Sequence, residues 1–276
     1  MRDTLVGVVI VDQPDTVREC LESLVSSDEQ NRMQIVLVDN GSDAATKAVI
    51  ASYADHVAQV IVNEWNVGPI FGTNQWLTLH QPGQNCVQID QNCVIHSRNW
   101  LRILSEVIAD PALAMAAARR PTFWLDRGKE GTTEYRDSIM EDKCGGHFCE
   151  TLKAGYLHGP LTMYKDKLVK HLGFLNEASM WGAIDYTARV SCTGLKDVYV
   201  PEVFISELSF EQHTHPTYKA HQELVYIRER MHNIFVERYK KEVAVTWGSR
   251  FLPESMKDDY YSDMSDTNWE FMRDYK

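Results

Sequence analysis

Several stretches of the chain place oxygen-bearing side chains where apolar segments end. Val36-Leu37-Val38-Asp39-Asn40-Gly41-Ser42-Asp43 closes an apolar run with a carboxylate, and Gly41 lets the chain turn closely around it. A carboxylate at such an end can accept a hydrogen bond from a ligand; the competing use of Asp or Ser there is as the N-cap of a following helix. Val87-Gln88-Ile89-Asp90-Gln91-Asn92-Cys93 interrupts a second apolar run with two oxygen donors two residues apart. At a strand end that spacing points both side chains to one side, as ligation of a hard cation requires. A polar β-turn accounts for the same residues without a ligand. In Ser179-Met180-Trp181-Gly182-Ala183-Ile184-Asp185-Tyr186, Asp185 opens a segment of helical spacing through Arg189, where N-capping is the simplest role. Phe210-Glu211-Gln212-His213-Thr214-His215-Pro216 holds two histidines at i, i+2, able to supply a metal ligand or to sit in a polar loop. Cys144-Gly145-Gly146-His147-Phe148-Cys149 has the form of half a zinc site, but no second pair of ligands stands at a suitable spacing, so zinc is not expected.

The elements that must position these residues alternate between strand and helix. Leu5 to Val11 is a continuous β-branched run, the pattern of a strand buried on both faces. Asp12 to Asp15 supplies turn chemistry, and Thr16 to Val25 carries Val17, Cys20, Leu21 and Leu24 at helical spacing. A second strand is expected over Ile35–Val38, a helix over Ala44–Tyr53, a third strand over Val57–Val62, and a further βα pair from Cys86 to about Ala109. Such alternation implies an α/β fold with a mainly parallel sheet and right-handed crossovers. In these sheets the carboxyl ends of the strands face the ligand crevice, and here those ends are Asp12, Asp39, Asn63 and Asp90. Residues 119 to 155 are rich in Arg, Gly, Asp, Glu and Thr without periodicity and read as long loops with a hairpin near the site. Tyr218 to Lys241 is helical in pattern, and Asp258 to Lys276 is an acidic, aromatic tail able to dock on the domain or on another subunit.

Composition narrows the class. The 276 residues are 44% hydrophobic and 24% charged, which excludes a disordered or fibrous chain. A net charge of −11 disfavours partners that select basic surfaces, nucleic acid and anionic lipid among them. No apolar run reaches the length of a membrane span and the N-terminus lacks a signal-peptide core, so the expectation is a cytoplasmic protein without integral membrane contact. Its six scattered cysteines are then expected as reduced thiols.

Taken in order, these segments resemble the family 2 glycosyltransferases of GT-A fold. Val8 to Val11 and the helix to Leu24 resemble the family's opening strand and helix, and Ile35 to Asp43 its strand ending in D-N-G-S-D. Asn63-Glu64-Trp65-Asn66-Val67-Gly68, with Gly72 and Asn74, resembles its N-x-x-N-x-G segment. Val87 to Asn92 followed by Trp100-Leu101 stands where the family carries D-x-D and W-L. Gly155 to Leu175 resembles G-x-x-x-G and the later L-G-x-L-N/D-E run, Asp185 and Arg189 resemble the D and R of the E-D-x-x-x-x-R motif with one residue fewer between them, and Tyr226 to Tyr239 resembles the following helix. The resemblance covers about residues 5 to 240 and implies a GT-A domain over residues 1–217, with 218–276 as a C-terminal helix and tail packed on it.

By this resemblance the donor is a nucleoside-diphosphate sugar, with Asp39 and Asp12 on the nucleoside and Asn66, Gly68, Asn74 and Arg189 among the binding residues. A carboxylate pairs with the imide N–H of uracil, thymine or guanine, whereas cytosine lacks that donor, which favours UDP, dTDP or GDP. Asp90 and Asn92, with His213 or His215, would hold Mn²⁺ or Mg²⁺ against the diphosphate. Asp185 would be the general base of an inverting transfer to an acceptor hydroxyl, and Trp181 would stack on the acceptor or fill core. The acceptor itself, whether glycan, lipid-linked, protein or modified base, is not legible, and the aromatic tail is a candidate interface for a homo-oligomer.

Two departures bear on this reading. Asn92 replaces the second carboxylate of D-x-D, and Ile184 replaces the acidic neighbour of Asp185. Both are compatible with a degenerate domain that binds a sugar nucleotide or glycan without turnover. A nucleotidyltransferase is the less suitable alternative, because Asp12-Gln13-Pro14-Asp15 lacks the glycines and basic residues of a phosphate loop.

Overall fold

The computed structural model of the chain describes residues 3–118, 139–152, 159–175, 186, 190 and 195–208. Its first half follows the expected alternation. Strand β1 (Thr4–Ile10) leads to α1 (Pro14–Val25), β2 (Met33–Asn40) to α2 (Ala44–Ser52), and β3 (Gln59–Asn63) to α3 (Pro69–Leu77). Then come β4 (Asn85–Asp90), the short β5 (Cys93–Ile95) and α4 (Trp100–Ile108). Helix α1 starts two residues earlier than the apolar spacing indicates because Pro14, whose fixed φ suits a first turn, opens it. The third strand starts at Gln59, since a 3₁₀ turn over Ala54–His56 precedes it.

The second half is less regular. After β6 (Leu113–Ala118) come β7 (Ile139–Cys144), β8 (His147–Leu152), β9 (Leu161–Tyr164), α5 (Asp166–Leu172), β10 (Lys196–Val200) and β11 (Ile205–Glu207). Nine strands form one sheet in the order β3-β2-β1-β4-β9-β6-β10-β8-β7, and β5 pairs with β11 in a separate ribbon. The strands β3-β2-β1-β4 are mutually parallel, whereas β9 runs antiparallel to both β4 and β6. Both faces of the sheet are covered. One face packs Val6, Val8 and Ile10 with Leu21, Leu24, Leu101 and Leu104; the other packs Leu5, Val36 and Val38 with Trp76 and Leu172. Gly7 is required on that second face, because a β-carbon there would enter the indole ring of Trp76. Among the described residues no helix is long and apolar enough to cross a membrane. Cys20, Cys86, Cys93, Cys144 and Cys149 are buried free thiols, and Cys192 lies outside the described residues.

The hairpin expected within residues 119 to 155 is β7–β8, closed by Gly145 and Gly146, both at positive φ as a two-residue turn demands. It is separated from β4 by β9, β6 and β10 rather than adjoining the carboxyl ends of the first strands. Its anchor is His147, which removes the zinc question: one ring nitrogen lies 2.7 Å from Glu106 of α4 and the other 2.8 Å from Glu202, so neither is open to a metal. Glu202 also accepts from the backbone N–H of Phe148 at 3.0 Å, and Arg102 pairs with Glu106 at 3.2 Å. The two carboxylates hold the imidazole above its ordinary value of 6.5, and hydrogen bonding to it holds Glu106 and Glu202 below theirs of 4.5. A raised histidine stabilises fully below 6.5 and loses its contribution as pH rises through its folded value; lowered glutamates contribute fully above 4.5 and lose it as pH falls through theirs. The clamp is therefore strongest between pH 4.5 and 6.5. In thermal melts, His147→Gln should lower the midpoint most in that window and progressively less towards pH 9, and an equal deficit at every pH would refute the charge-based account.

Candidate active site

Parallel pairing decides which side chains meet. Ile10 is in register with Asp39, Val9 with Asp90, and Asn40 with Asn63, so the last residues of β1, β2, β3 and β4 lie along one edge of the sheet. Asp12 follows β1 directly at that edge. It adopts φ +49°, and Gln13 follows at +62°, a costly pair of left-handed residues for non-glycine side chains.

The D-N-G-S-D turn divides its labour. Asp43 caps α2, its carboxylate accepting from Thr46 N at 2.7 Å, so the capping role falls to Asp43 and not to Asp39. Asp39 is 3% exposed; its Oδ1 accepts from Ser42 N at 2.9 Å. Ser42 Oγ accepts from Asp12 N at 3.3 Å, and Asp12 Oδ1 accepts from Asp43 N at 2.8 Å. The β1 and β2 turns are thus stitched together through Asp12, Ser42 and Asp43. Gly41 sits at φ +75° against the backbone of Trp65 and Asn66, where a β-carbon would collide.

The N-x-x-N-x-G segment is held by Asn40. Its amide donates to Asn66 Oδ1 at 2.8 Å and to Gly68 O at 3.3 Å, while its oxygen accepts from Asn63 Nδ2 at 3.1 Å and from Val67 N at 3.0 Å. Asn66 Oδ1 also accepts from Gly68 N at 2.9 Å, and Gly68, at φ +90°, precedes Pro69 at the start of α3. Asn66 and Gly68 therefore shape the turn beside Asp39, and Trp65 on the same turn is 65% exposed. Asn74 lies deeper. Its amide donates to Leu175 O at 2.8 Å and accepts from Leu175 N at 2.9 Å, a two-point hold on backbone 101 positions away, so the contacts it shows are structural.

Asp90 ends β4 with its N–H donating to Pro160 O at 2.7 Å. Cys20 Sγ donates to Asp90 O at 3.6 Å; burial, with the Asp90 charge adding to it, pushes this thiol up to about 12, so it stays protonated as a donor rather than a nucleophile. Tyr164 OH donates to Gln88 Oε1 at 3.1 Å, which turns the Gln88 amide towards Asp90 Oδ1 at 3.5 Å. Gln91 and Asn92 form the next turn. The Asn92 amide donates to Leu208 O at 3.3 Å, and Asn92 O accepts from Leu208 N at 2.9 Å. Asn92 thereby holds Leu208 at two points, of which an Asp at this position would keep the backbone one and lose the side-chain one, having no side-chain N–H to donate. Gln88, Ser42, Asn40 and Gln91 escaped the sequence reading; a polar residue within an apolar strand, as Gln88 is, was the one available signal.

A divalent cation fits this donor set in a restricted way. Asp90 is a hard oxygen ligand, and Asn92 retains a carbonyl oxygen while its N–H is spent on Leu208. Among the described residues no group of three or more His, Cys, Asp or Glu side chains could hold a metal, so a cation here would draw most of its ligands from a bound phosphate, as Mg²⁺-type sites commonly do. Trp181, Asp185, Arg189, His213 and His215 lie outside the described residues, as do the expected helix over 218–241 and the tail. Tyr186, next after Asp185, is buried; its OH donates to Gly173 O at 3.3 Å and its ring meets Tyr164 edge-on at 5.5 Å.

Comparison with solved structures shows the same architecture. The mannosyltransferase PcManGT from Pyrobaculum calidifontis, in complex with GDP-Man and Mn²⁺, superimposes with a TM-score of 0.64 at 16% identity, over 96% of this chain and 70% of the other. TarS 1–349 from S. aureus in complex with UDP-GlcNAc gives 0.58 at 15% identity, over 97% and 73%. GalNAc-T7 with UDP, GalNAc and Mn²⁺ gives 0.59 at 14%, over 98% and 56%. At these identities the likeness establishes the fold, which is GT-A. By sequence alone, no curated protein matches the chain significantly. The model of glycosyl transferase family 2 matches residues 6–173, a span that runs from β1 through α5 and contains the carboxyl ends of β1, β2, β3 and β4. The chain belongs to glycosyl transferase family 2.

Proposed function

We propose that the protein transfers a sugar from a nucleoside-diphosphate sugar to an acceptor hydroxyl with inversion at the anomeric carbon. The observation that carries this is the convergence of Asp12, Asp39 and Asp90 at the aligned ends of parallel strands, with Asp39 buried and excused from capping. One oxygen of Asp39 accepts from Ser42 N, and the other makes no hydrogen bond among the described residues, which suits pairing with the imide N–H of uracil, thymine or guanine. Family membership and structural neighbours bound to GDP-Man and UDP-GlcNAc support a nucleotide-sugar donor, and those bound with Mn²⁺ support a divalent cation.

In the proposed reaction Asp12 and Asp39 orient the nucleoside, and Asp90 faces the diphosphate end. Asp90 and Asn92, with His213 or His215, would hold Mn²⁺ or Mg²⁺, which when bound would neutralise charge gathering on the departing diphosphate. Asp185 takes the proton of the acceptor hydroxyl as its oxygen bonds to the anomeric carbon, while the carbon–oxygen bond to phosphate breaks on the opposite face. Tyr186, the residue after Asp185 in the chain, packs on Tyr164, which is linked through Gln88 to Asp90, and this adjacency in sequence supports the reading of Asp185 as the base. Trp181 and Arg189 complete the binding residues, and the action is assigned to the cytoplasm.

A second reading, a binding domain without turnover, is favoured by Asn92 and Ile184. A thermal-shift panel of UDP, dTDP, GDP and CDP, each with and without Mn²⁺, separates the cases. A ligand at 100 times its dissociation constant adds about 2.7 kcal/mol. The expected result is a shift with one imide-bearing nucleotide, enlarged by Mn²⁺, with hydrolysis or transfer of the matching sugar nucleotide. A shift without any turnover would establish the binding domain, and no shift at millimolar nucleotide would remove the donor site altogether.

A further inference from the structure

Gln91, the middle residue of the D-x-D-like motif, reaches from the β4 turn to the residue before Asp12 and occupies both of its backbone groups. Val11 N donates to Gln91 Oε1 at 2.6 Å, and Gln91 Nε2 donates to Val11 O at 3.0 Å. The backbone ladder between β1 and β4 stops at the Val9–Asp90 pair, since β4 turns away at Gln91. Past that point Val11 would lose its ladder partner on the β4 side, and the Gln91 carboxamide, a peptide group in miniature, continues the pairing by one step. A primary amide is the one neutral side chain group that offers both a donor and an acceptor with this spacing.

The two residues after Val11 make that pairing consequential. Asp12 and Gln13 sit at φ +49° and +62°, a conformation that persists only where the surroundings over-determine it. Asp12 is tied on one side to Ser42 and Asp43 of the β2 turn. Gln91 ties the residue before it to the β4 turn on the other side. Only 8% of Gln91 is exposed, so the clamp is shielded from competing water.

We infer that Gln91 is a positioning residue, whose two-point hold on Val11 keeps the strained Asp12–Gln13 corner in its nucleotide-binding form and couples the nucleoside end of the site to Asp90. The inference rests on the proposed donor site. It assigns the middle position of the motif to loop geometry and leaves metal and phosphate to its flanks.

The test uses the full chain, with Gln91→Met removing both hydrogen bonds at equal side-chain length. Hydrogen exchange without nucleotide reads the clamp, and calorimetric titration of UDP, dTDP and GDP with Mn²⁺ reads its consequence. Amides of residues 11–13 and 15 should exchange faster in the variant, and the dissociation constant of whichever nucleotide binds wild type should rise about tenfold, as when about a tenth of the free protein keeps the binding form. Unchanged exchange would overturn the clamp. Faster exchange with unchanged affinity would reduce Gln91 to a structural part and overturn its positioning role. Wild type that binds none of the three nucleotides would overturn the proposed donor site, and the inference with it, before any variant is compared. If Gln91→Met does not fold, Gln91→Glu carries the same expectations, because it keeps the acceptor for Val11 N and sets a carboxylate against Val11 O.

Discussion

Asp185→Asn is expected to lower kcat by about 10³-fold, the scale of a positioned general base. The amide is isosteric and keeps any helix-capping hydrogen bond, so the loss isolates proton acceptance from N-capping. KM for the donor and the nucleotide-induced thermal shift should stay within about twofold of wild type, because in the proposed reaction Asp185 acts on the acceptor's proton and not on the nucleotide. Steady-state kinetics with the sugar nucleotide that the thermal-shift panel identifies reads both. A variant of near-normal kcat would remove Asp185 from the mechanism and leave it the cap of its helix, whereas a collapse of donor affinity with normal kcat would move it to donor binding. The replacement of its usual acidic neighbour by Ile184 sharpens the test, since neither chain neighbour, Ile184 nor Tyr186, carries a carboxylate.

Asp90→Ala carries the other large effect. Asp90 is the one carboxylate of the D-x-D-like motif, as Asn92 spends its N–H on Leu208 and adds no charge. Its removal should abolish the Mn²⁺-dependent part of nucleotide binding and lower kcat about 10²-fold or more, the range seen when a preorganised electrostatic stabiliser is deleted. Binding of the same nucleotide in EDTA should persist, because Asp39 and the turn around Ser42 are built from β2 and do not depend on the Asp90 side chain. Titration calorimetry in the presence of Mn²⁺ or EDTA distinguishes these outcomes. Loss of binding in both media would mean that Asp90 supports the whole pocket, and an unaltered Mn²⁺ response would assign the cation to other residues.

Much of the first half of the fold was legible because each element there is set by its own residues. The β-branched runs at Leu5–Val11 and Ile35–Val38 belong to strands buried on both faces, and a sheet with helices on both faces has no other use for them. Asp39 and Asp90 were readable as strand ends for the same reason. The antiparallel insertion of β9, by contrast, is decided by which neighbours Leu161–Tyr164 finds, and a four-residue apolar run carries no record of that choice. The ribbon of β5 and β11 joins residues more than a hundred positions apart and was invisible likewise. At the site, Asn66, Asn74 and Asn92 were named from their motifs, but the backbone partners that the amides hold were not legible. Asn40, Asn74 and Gln91 each satisfy backbone groups of a distant segment, and the need for such a partner arises only once turns have left those groups without a ladder. Gly41 was assigned its tight turn from sequence, yet the reason for it, the Trp65 backbone lying against it, comes from another loop.

The place of β9 has a consequence for the chain as it is made. β4 and β6 never touch; Ile89 pairs with Leu161 on one side of β9, and Ala117 with Thr162 on the other. Synthesis delivers β4 and β6 first, and at ordinary elongation rates roughly several seconds pass before Leu161–Tyr164 leaves the ribosome. Throughout that interval the Leu113–Ala118 strand, buried along its whole length in the finished sheet, has no partner on its β9 side. β9 joins β6 to the sheet begun by β1 to β4, and β10, later in the chain, then joins β6 to the β7–β8 hairpin. A nascent chain stalled before Tyr164 holds the open edge of β4, a β6 without sheet neighbours and the separate β7–β8 hairpin, and chaperone protection matters most in that short window.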